Sequence, residues 1–142
     1  MPTRTARTAW NGGLNDGSGQ VELTSSKVGT FDVSFPRRTA DEAGGTTSPE
    51  ELIAAAHSSC FSMALSSEVA KAGGTPVAFE VTADVTLDSG SITTIKLTVR
   101  GEVEGLDEAG FRQAAEAAKV GCPVSKALAG GPDIQLDAAL ES

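Results

Sequence analysis

Two cysteines are the side chains of this sequence best suited to covalent chemistry. Cys60 lies in the segment SPEELIAAAHSSCFSMAL and Cys122 in the segment KVGCPVSKAL, and the chain has no other cysteine. Two thiols are too few for a disulfide framework, so in a reducing compartment they are free thiols, metal ligands or redox groups. A free cysteine is also among the most buried residue types, which leaves inert packing as the alternative for Cys60.

The two cysteines have different local settings. Gly121 and Pro123 flank Cys122 and mark the start of a helix, where backbone N–H groups and the helix dipole stabilise a thiolate. Cys60 lies well inside an apolar segment, where burial disfavours the charged form of a thiol. Local physics therefore predicts that Cys122 is the more acidic thiol.

His57 is the one histidine of the chain, and it precedes Cys60 by three residues, so the two side chains share a helix face. A Cys–His nucleophile pair and the first two ligands of a metal site are both open interpretations. A zinc site would need a carboxylate or a second subunit to complete it. We favour a third interpretation, in which His57 is a polar group that an interface satisfies.

Two glutamates stand at the start of the predicted central helix. Ser48 is the expected N-cap, and Glu51 completes a capping box with it, which leaves Glu50 free for another role. Glu50 precedes Cys60 by ten residues, or about 15 Å of helix rise, so the two cannot touch within one straight helix. If they cooperate, Glu50 reaches a cysteine of a partner subunit or acts through an arginine.

The charge balance excludes several classes of partner. With 11 Lys and Arg against 19 Asp and Glu, the net charge is −8, which argues against binding nucleic acid or an anionic membrane surface. Arg37 and Arg38 are the only adjacent basic pair before the central helix, and they lie either in a solvated loop or in a site. No apolar run approaches the ~18 residues of a membrane-spanning helix. No signal-peptide pattern is present either, so we expect a cytoplasmic protein.

Hydrophobic periodicity predicts strands on both sides of one long helix. The predicted strands are Thr5 to Trp10, a short strand around Val21 and Leu23, Phe31 to Phe35, Phe79 to Leu87, Ile95 to Glu102, and Ile134 to Leu140. The predicted helices run from Ser48 to about Ala72, from the Asp107 cap to about Val120, and briefly from Cys122-Pro123.

This order of elements predicts an α+β fold, with antiparallel β-sheets around a long central buried helix. We expect residues 1–142 to form a single domain, because the length suits one core and no repeat or linker interrupts it. A small sheet covers only one side of the almost wholly apolar central helix. A homodimer with helix-on-helix contact would cover the other side.

The segments FPRR, GGTTSPEELIAAAHSSCFSMALS and KVGCPVSKAL together resemble the OsmC/Ohr family of thiol-dependent peroxidases, nearer to its osmotically inducible protein C branch. The resemblance spans essentially the whole chain. It implies the OsmC-like fold, an intertwined homodimer and two active sites at the subunit interface. It also implies reduction of organic hydroperoxides, and less efficiently of hydrogen peroxide, in oxidative or osmotic stress defence.

The same resemblance assigns roles to individual residues. Cys60 matches the cysteine that attacks the peroxide, and Cys122 matches the resolving cysteine. Glu50 matches the family glutamate, and Arg38 best matches the family arginine, with Arg37 as the alternative.

The implied chemistry suits these residue types. A guanidinium would stabilise the Cys60 thiolate, and Glu50 would hold that guanidinium by a bidentate pair. Attack on the O–O bond gives a sulfenic acid at Cys60, which condenses with Cys122 to a disulfide. A dithiol reductant then restores both thiols, and lipoylated proteins are among the reductants of the family. No metal, flavin or haem is required.

Two further points stay open at the level of sequence. Leu52, Phe61 and Met63 are candidates for an apolar substrate pocket, although for each one alone we favour a pure core role. The functional alternative to an enzyme is a non-catalytic dimer that senses oxidants by forming the Cys60–Cys122 disulfide. Turnover of an alkyl hydroperoxide separates these two functions.

Overall fold

A computed structural model describes all 142 residues, Met1–Ser142. The chain divides into two compact units, residues 1–52 and residues 53–142, which are described in turn. No helix has both the length and the hydropathy needed to cross a membrane.

The first unit carries an antiparallel meander of three strands in the order β1-β2-β3. The strands are β1 (Arg7–Asn11), β2 (Ser18–Glu22) and β3 (Thr30–Val33). A side chain closes the turn between β1 and β2, since Asp16 Oδ1 accepts a hydrogen bond from the Gly13 N–H at 2.9 Å. The predicted meander is therefore present.

The third strand is shorter than the alternation predicts, because a helix cap interrupts it. Ser34 Oγ accepts a hydrogen bond from the Arg37 N–H at 3.3 Å and starts the short helix α1 (Phe35–Thr39). Pro36 suits the first turn of this helix, where its missing N–H leaves no bond unmade. The prediction of a strand through Phe35 is therefore wrong, and Arg38 lies on a helix instead of a loop.

Helix α2 (Pro49–Lys71) begins as predicted, with one difference in its cap. Ser48 Oγ accepts from the Glu51 N–H at 3.1 Å, which is half of a capping box. The Glu51 carboxylate accepts instead from Thr47 Oγ1 at 2.6 Å, so the reciprocal half is replaced by a contact to the preceding residue. At the other end Gly73 adopts φ +91°, a conformation that favours glycine.

The second unit contains the three-stranded sheet β4-β5-β6 and two further helices. Its elements are β4 (Thr75–Asp88), β5 (Ser91–Glu104), α3 (Glu108–Gly121), α4 (Pro123–Leu128) and β6 (Asp133–Leu140). Ser89 and Gly90 both have positive φ, as a tight hairpin turn between twisted strands requires.

The β4–β5 pair is antiparallel as predicted, whereas β6 lies parallel to β5. The connection between β5 and β6 is a helical crossover through α3 and α4, and a crossover of this kind returns the chain in the same direction. The α+β class is confirmed, with antiparallel pairing throughout the first sheet and in the long hairpin.

One face of α2 forms part of the core of this unit. The fully buried residues on that face recur every four positions and are His57, Phe61, Leu65 and Val69. They join inward side chains of β5 and α3, among them Ile95, Leu97, Val99 and Phe111. The opposite face carries Ala55, Ser59, Met63 and Ser67, all exposed in the single chain.

Gly101 on β5 tests this packing. Gly101→Ala is expected to lower the free energy of unfolding by about 1–3 kcal/mol, because its Cβ would lie 2.8 Å from Phe111 Cζ and 3.1 Å from Phe79 Cδ1. Urea denaturation measures the change.

The matched control is Gly121→Ala. A Cβ at Gly121 meets no atom within 4 Å, so alanine there is expected to be neutral or to stabilise the helix by up to ~1 kcal/mol. Equal stabilities of the two variants would contradict the packing described for Phe111.

Candidate active site

The structure brings the two cysteines into direct contact. Cys60 projects from α2 and Cys122 lies between α3 and α4, and Cys122 Sγ donates to Cys60 Sγ at 2.8 Å. Both are free thiols; Cys122 is fully buried and Cys60 is partly buried. Since a disulfide bond is ~2.05 Å long, a movement of a fraction of an ångström by each sulfur would close it. The pair can therefore alternate between dithiol and disulfide.

The backbone fixes Cys122 from both sides. Its N–H donates to the Ala118 carbonyl at 2.9 Å and ends α3, while its carbonyl accepts from the Lys126 N–H at 3.0 Å and starts α4. Pro123 occupies the first turn of α4 and supplies no N–H there. Cys122 is thus the junction between α3 and α4, and hydrogen bonds to both helices fix its backbone.

The surroundings make the two thiols unequal. Burial raises the pKa of Cys60, and its contact with Cys122 raises it further. Burial also opposes ionisation of Cys122, but its contact with the Cys60 sulfur and the backbone N–H groups of Ser125 and Val124 outweigh it and lower the pKa. The sequence-based expectation that Cys122 is the more acidic thiol agrees with this environment.

His57 lies in the same buried region, but its polar partner is a serine. Its Nε2 lies 2.7 Å from Ser125 Oγ, whereas its Nδ1 is buried with no hydrogen-bond partner. Burial lowers the pKa of His57, which favours the neutral ring. One of the two ring nitrogens of His57 therefore has a hydrogen-bond partner, and that partner belongs to the same chain and not to a subunit interface.

Ser125 is the residue of this region that sequence reasoning missed. It is 4% exposed, its hydroxyl oxygen lies 2.7 Å from His57 Nε2, and it contributes to lowering the pKa of Cys122. Serine three residues after a helix-starting cysteine is too common a pattern to stand out. No group of three or more His, Cys, Asp or Glu side chains is arranged to hold a metal ion.

The first unit pairs the predicted arginine with the predicted glutamate. Arg38 Nε donates to Glu50 Oε1 at 3.0 Å and Arg38 Nη2 donates to Oε2 at 2.8 Å, a bidentate pair. Glu50 is buried and a third of the Arg38 side chain is exposed. The hydrogen bond to Glu50 raises the pKa of Arg38.

Arg37, the alternative arginine, has a different environment. It is exposed, and its guanidinium lies against the backbone of Gly44. Of the two adjacent arginines, Arg38 is therefore the one that Glu50 orients.

The three candidate pocket residues have separate environments. Leu52 is partly buried at the end of the first unit, Phe61 is fully buried in the core of the second, and Met63 is 73% exposed. Their participation in a substrate pocket stays a prediction.

Comparisons with known proteins agree with this geometry. A family model described as OsmC-like protein matches residues 41–137, a span that includes Glu50 and both cysteines. Peroxiredoxin OsmC of Escherichia coli (strain K12) is 42% identical over 137 residues, which cover 94% of this chain and 93% of that protein.

Matches to the Ohr branch are weaker but extensive. Organic hydroperoxide resistance protein OhrA of Bacillus subtilis (strain 168) is 34% identical over 123 residues, which cover 82% of this chain and 85% of that protein. The crystal structure of OhrB of Bacillus subtilis superposes with a TM-score of 0.68 at 28% identity, covering 94% of this chain and 97% of that chain. The family match, these relatives and the shared fold show that this chain belongs to the OsmC/Ohr family.

Proposed function

We propose that this protein is a thiol-dependent peroxidase that reduces organic hydroperoxides, and hydrogen peroxide more weakly, in oxidative or osmotic stress defence. The observation that carries the proposal is the 2.8 Å contact between the sulfur atoms of Cys60 and Cys122. Relatives that cover most of the chain are named peroxiredoxin or organic hydroperoxide resistance protein, which supports the same function. We take residues 1–142 as one OsmC-like domain.

In the first step, Cys60 attacks the peroxide. A proton moves from Cys60 to Cys122 along their contact, which places the negative charge on the partly exposed sulfur. The Cys60 thiolate attacks one peroxide oxygen, an S–O bond forms and the O–O bond breaks. The alkoxide leaves and takes a proton to become the alcohol, so the hydroperoxide is reduced and Cys60 is oxidised to sulfenic acid.

In the second step, Cys122 resolves the sulfenic acid. The Cys122 sulfur attacks the Cys60 sulfur, the S–S bond forms, and the S–O bond breaks with release of water. A dithiol reductant, such as a lipoylated protein, then reduces the disulfide by thiol–disulfide exchange. Reduction of the disulfide by a dithiol needs a reducing compartment, and we therefore propose that the protein acts in the cytoplasm.

We further propose that the Arg38–Glu50 pair serves the cysteines of a second subunit in a homodimer. Ten residues of sequence separate Glu50 from Cys60, which favours cooperation across subunits. The exposed face of α2, with Met63 at its centre, is suited to helix-on-helix contact with a second copy. The guanidinium would stabilise the Cys60 thiolate and donate to a peroxide oxygen.

Cysteine variants test the assignment of the two thiols. Cys60→Ser is expected to abolish reduction of tert-butyl hydroperoxide with a dithiol reductant, because it removes the attacking sulfur. Cys122→Ser should consume one equivalent per chain and accumulate sulfenic acid at Cys60, since no thiol resolves it. A coupled turnover assay and sulfenic-acid trapping measure both outcomes.

Exchanged results for the two variants would mean that Cys122 is the attacking thiol. Consumption of one equivalent by the unaltered protein, with excess reductant present, would favour an oxidant sensor over an enzyme.

The arginine pair offers a matched comparison. Arg38→Ala is expected to slow the attack on peroxide by about 10²-fold, because a charged donor to the developing charge is lost. Arg37→Ala should change the rate little, since its guanidinium has no contact with Glu50. Stopped-flow single-turnover rates with the same hydroperoxide measure the difference, and equal effects would refute the choice of Arg38.

Mixed dimers decide whether Arg38 acts across subunits. A dimer of one Arg38→Ala chain and one Cys60→Ser chain keeps one complete site only if Arg38 serves the partner's cysteine; as homodimers the first is expected to be about 10²-fold slow and the second inactive. We expect about half of normal activity from the purified heterodimer. Activity no higher than that of the Arg38→Ala homodimer would instead place Arg38 and Cys60 of the same chain in one site.

A further inference from the structure

Two side-chain contacts join α2 to the segment that starts α4, and they have the same spacing on both sides. Cys122 Sγ lies 2.8 Å from Cys60 Sγ, and His57 Nε2 lies 2.7 Å from Ser125 Oγ. His57 precedes Cys60 by three residues, and Ser125 follows Cys122 by three. Three residues make nearly one helical turn, so the two contacts cross the same boundary about one turn apart. The proposed peroxidase steps use only the contact between the sulfur atoms.

The contact between His57 and Ser125 is shielded from water but leaves one polar atom unpaired. His57 is 0% exposed and Ser125 is 4% exposed. His57 Nδ1 is buried with no hydrogen-bond partner, and an apolar side chain of similar size would avoid the cost of burying this nitrogen. What the histidine supplies, and an apolar side chain cannot, is a hydrogen bond of fixed direction between the two helices.

Direction matters for the elements that carry a disulfide. Apolar contacts are non-directional, so they do not by themselves fix how one helix lies along another. A hydrogen bond restricts both a distance and an angle. The Cβ atoms of a disulfide must lie ~3.5–4.5 Å apart, which tolerates little displacement of α4. A hydrogen bond one turn away from the sulfur atoms would hold that separation both before and after the S–S bond forms.

We infer that His57 and Ser125 are positioning residues for the redox couple, whose hydrogen bond fixes α4 against α2 and thereby stabilises the Cys60–Cys122 disulfide against reduction. The inference rests on the proposed function, in which the two thiols cycle through that disulfide. Neither His57 nor Ser125 exchanges a proton or an electron in the cycle. Without their hydrogen bond, closing the disulfide also has to order α4, and that loss of conformational freedom opposes oxidation.

The test measures the thiol–disulfide equilibrium of the chain in the absence of peroxide. The protein is equilibrated with mixtures of reduced and oxidised dithiothreitol, and the disulfide fraction is measured after acid quenching and thiol alkylation. In this exchange the S–S bond of the reagent breaks as the Cys60–Cys122 bond forms. The two protein thiols pass two electrons and two protons to the reagent, which becomes its dithiol.

Ser125→Ala removes the hydroxyl and is expected to lower the ratio of disulfide to dithiol about tenfold, which raises the reduction potential by about 30 mV. The matched control is Ser62→Ala, because Ser62 Oγ donates to the Ser58 carbonyl at 2.8 Å within α2. This control should keep the ratio of the unaltered protein. His57→Gln, whose amide can still bond Ser125, should keep most of it.

The double variant His57→Phe/Ser125→Ala separates positioning from stability. It removes both polar partners, so the free energy of unfolding of the reduced protein is expected to stay the same or to rise. The ratio of disulfide to dithiol should still fall about tenfold, because apolar contact does not fix the position of α4. Urea denaturation measures the first quantity and the dithiothreitol equilibrium measures the second. Circular dichroism identifies a variant that does not fold, and Ser125→Ala, a change of one atom, decides the test in that event.

An unchanged ratio in either Ser125→Ala or the folded double variant would overturn the inference, as would a Ser62→Ala control that shifts the ratio equally. These outcomes are separable from the peroxidase proposal. If the ratio falls as expected but the unaltered protein does not turn over hydroperoxide, the peroxidase function fails and the positioning role stands. If turnover occurs and no variant shifts the ratio, the positioning role alone fails.

Discussion

The contact between Cys60 and Cys122 depends on the helices α2, α3 and α4, which bring together two cysteines that lie 62 residues apart in the sequence. Helix α2 presents Cys60 beside the side chains that it buries in the core, including Phe61. The break between α3 and α4 holds Cys122 at its own N–H and carbonyl. Because the core fixes α2 and α3 against the same sheet, the sulfur atoms are placed at bonding range before any oxidant arrives. The fold therefore contributes proximity, which is the main requirement for rapid disulfide formation.

The more acidic of the two thiols is not the more accessible one. The buried thiol, Cys122, is the one that local hydrogen bonds favour as thiolate, whereas the partly exposed thiol, Cys60, is the one that a peroxide can reach. In the mechanism that we propose, a shared proton reconciles the two, because movement of one proton across the contact transfers the charge between the sulfur atoms. Within the proposed function, an oriented guanidinium supplies the bias toward Cys60, and Glu50 fixes the direction in which Arg38 points.

Much of this arrangement could be predicted from sequence because the signals are local. The Ser48 cap, the Asp107 cap and the alternation of the long hairpin each depend on a few adjacent residues. The helix start at Cys122 depends on its neighbour Pro123 in the same way. The pairing of Arg38 with Glu50 followed from the family resemblance, while its bidentate geometry required coordinates.

The differences arose where a non-local or competing interaction decided the outcome. Ser34 caps a helix within the segment Phe31 to Phe35, for which the alternating pattern predicts a strand. Arg38 therefore lies on α1. The parallel pairing of β6 with β5 depends on the path of the crossover and leaves no local pattern. Ser125 belongs to the site through its contact with His57, which lies 68 residues earlier in the chain. Side chains that act through distant partners carry no sequence signature of their own.

Counting thiols decides whether Cys60 and Cys122 of one chain form a peroxide-driven dithiol–disulfide couple. The reduced protein is treated with one equivalent of an organic hydroperoxide, free thiols are counted after denaturation, and the disulfide is mapped by peptide mass spectrometry. We expect loss of both thiols of the chain and a single peptide pair linking Cys60 to Cys122 within one chain. Retention of the Cys122 thiol, or a disulfide between chains, would contradict it.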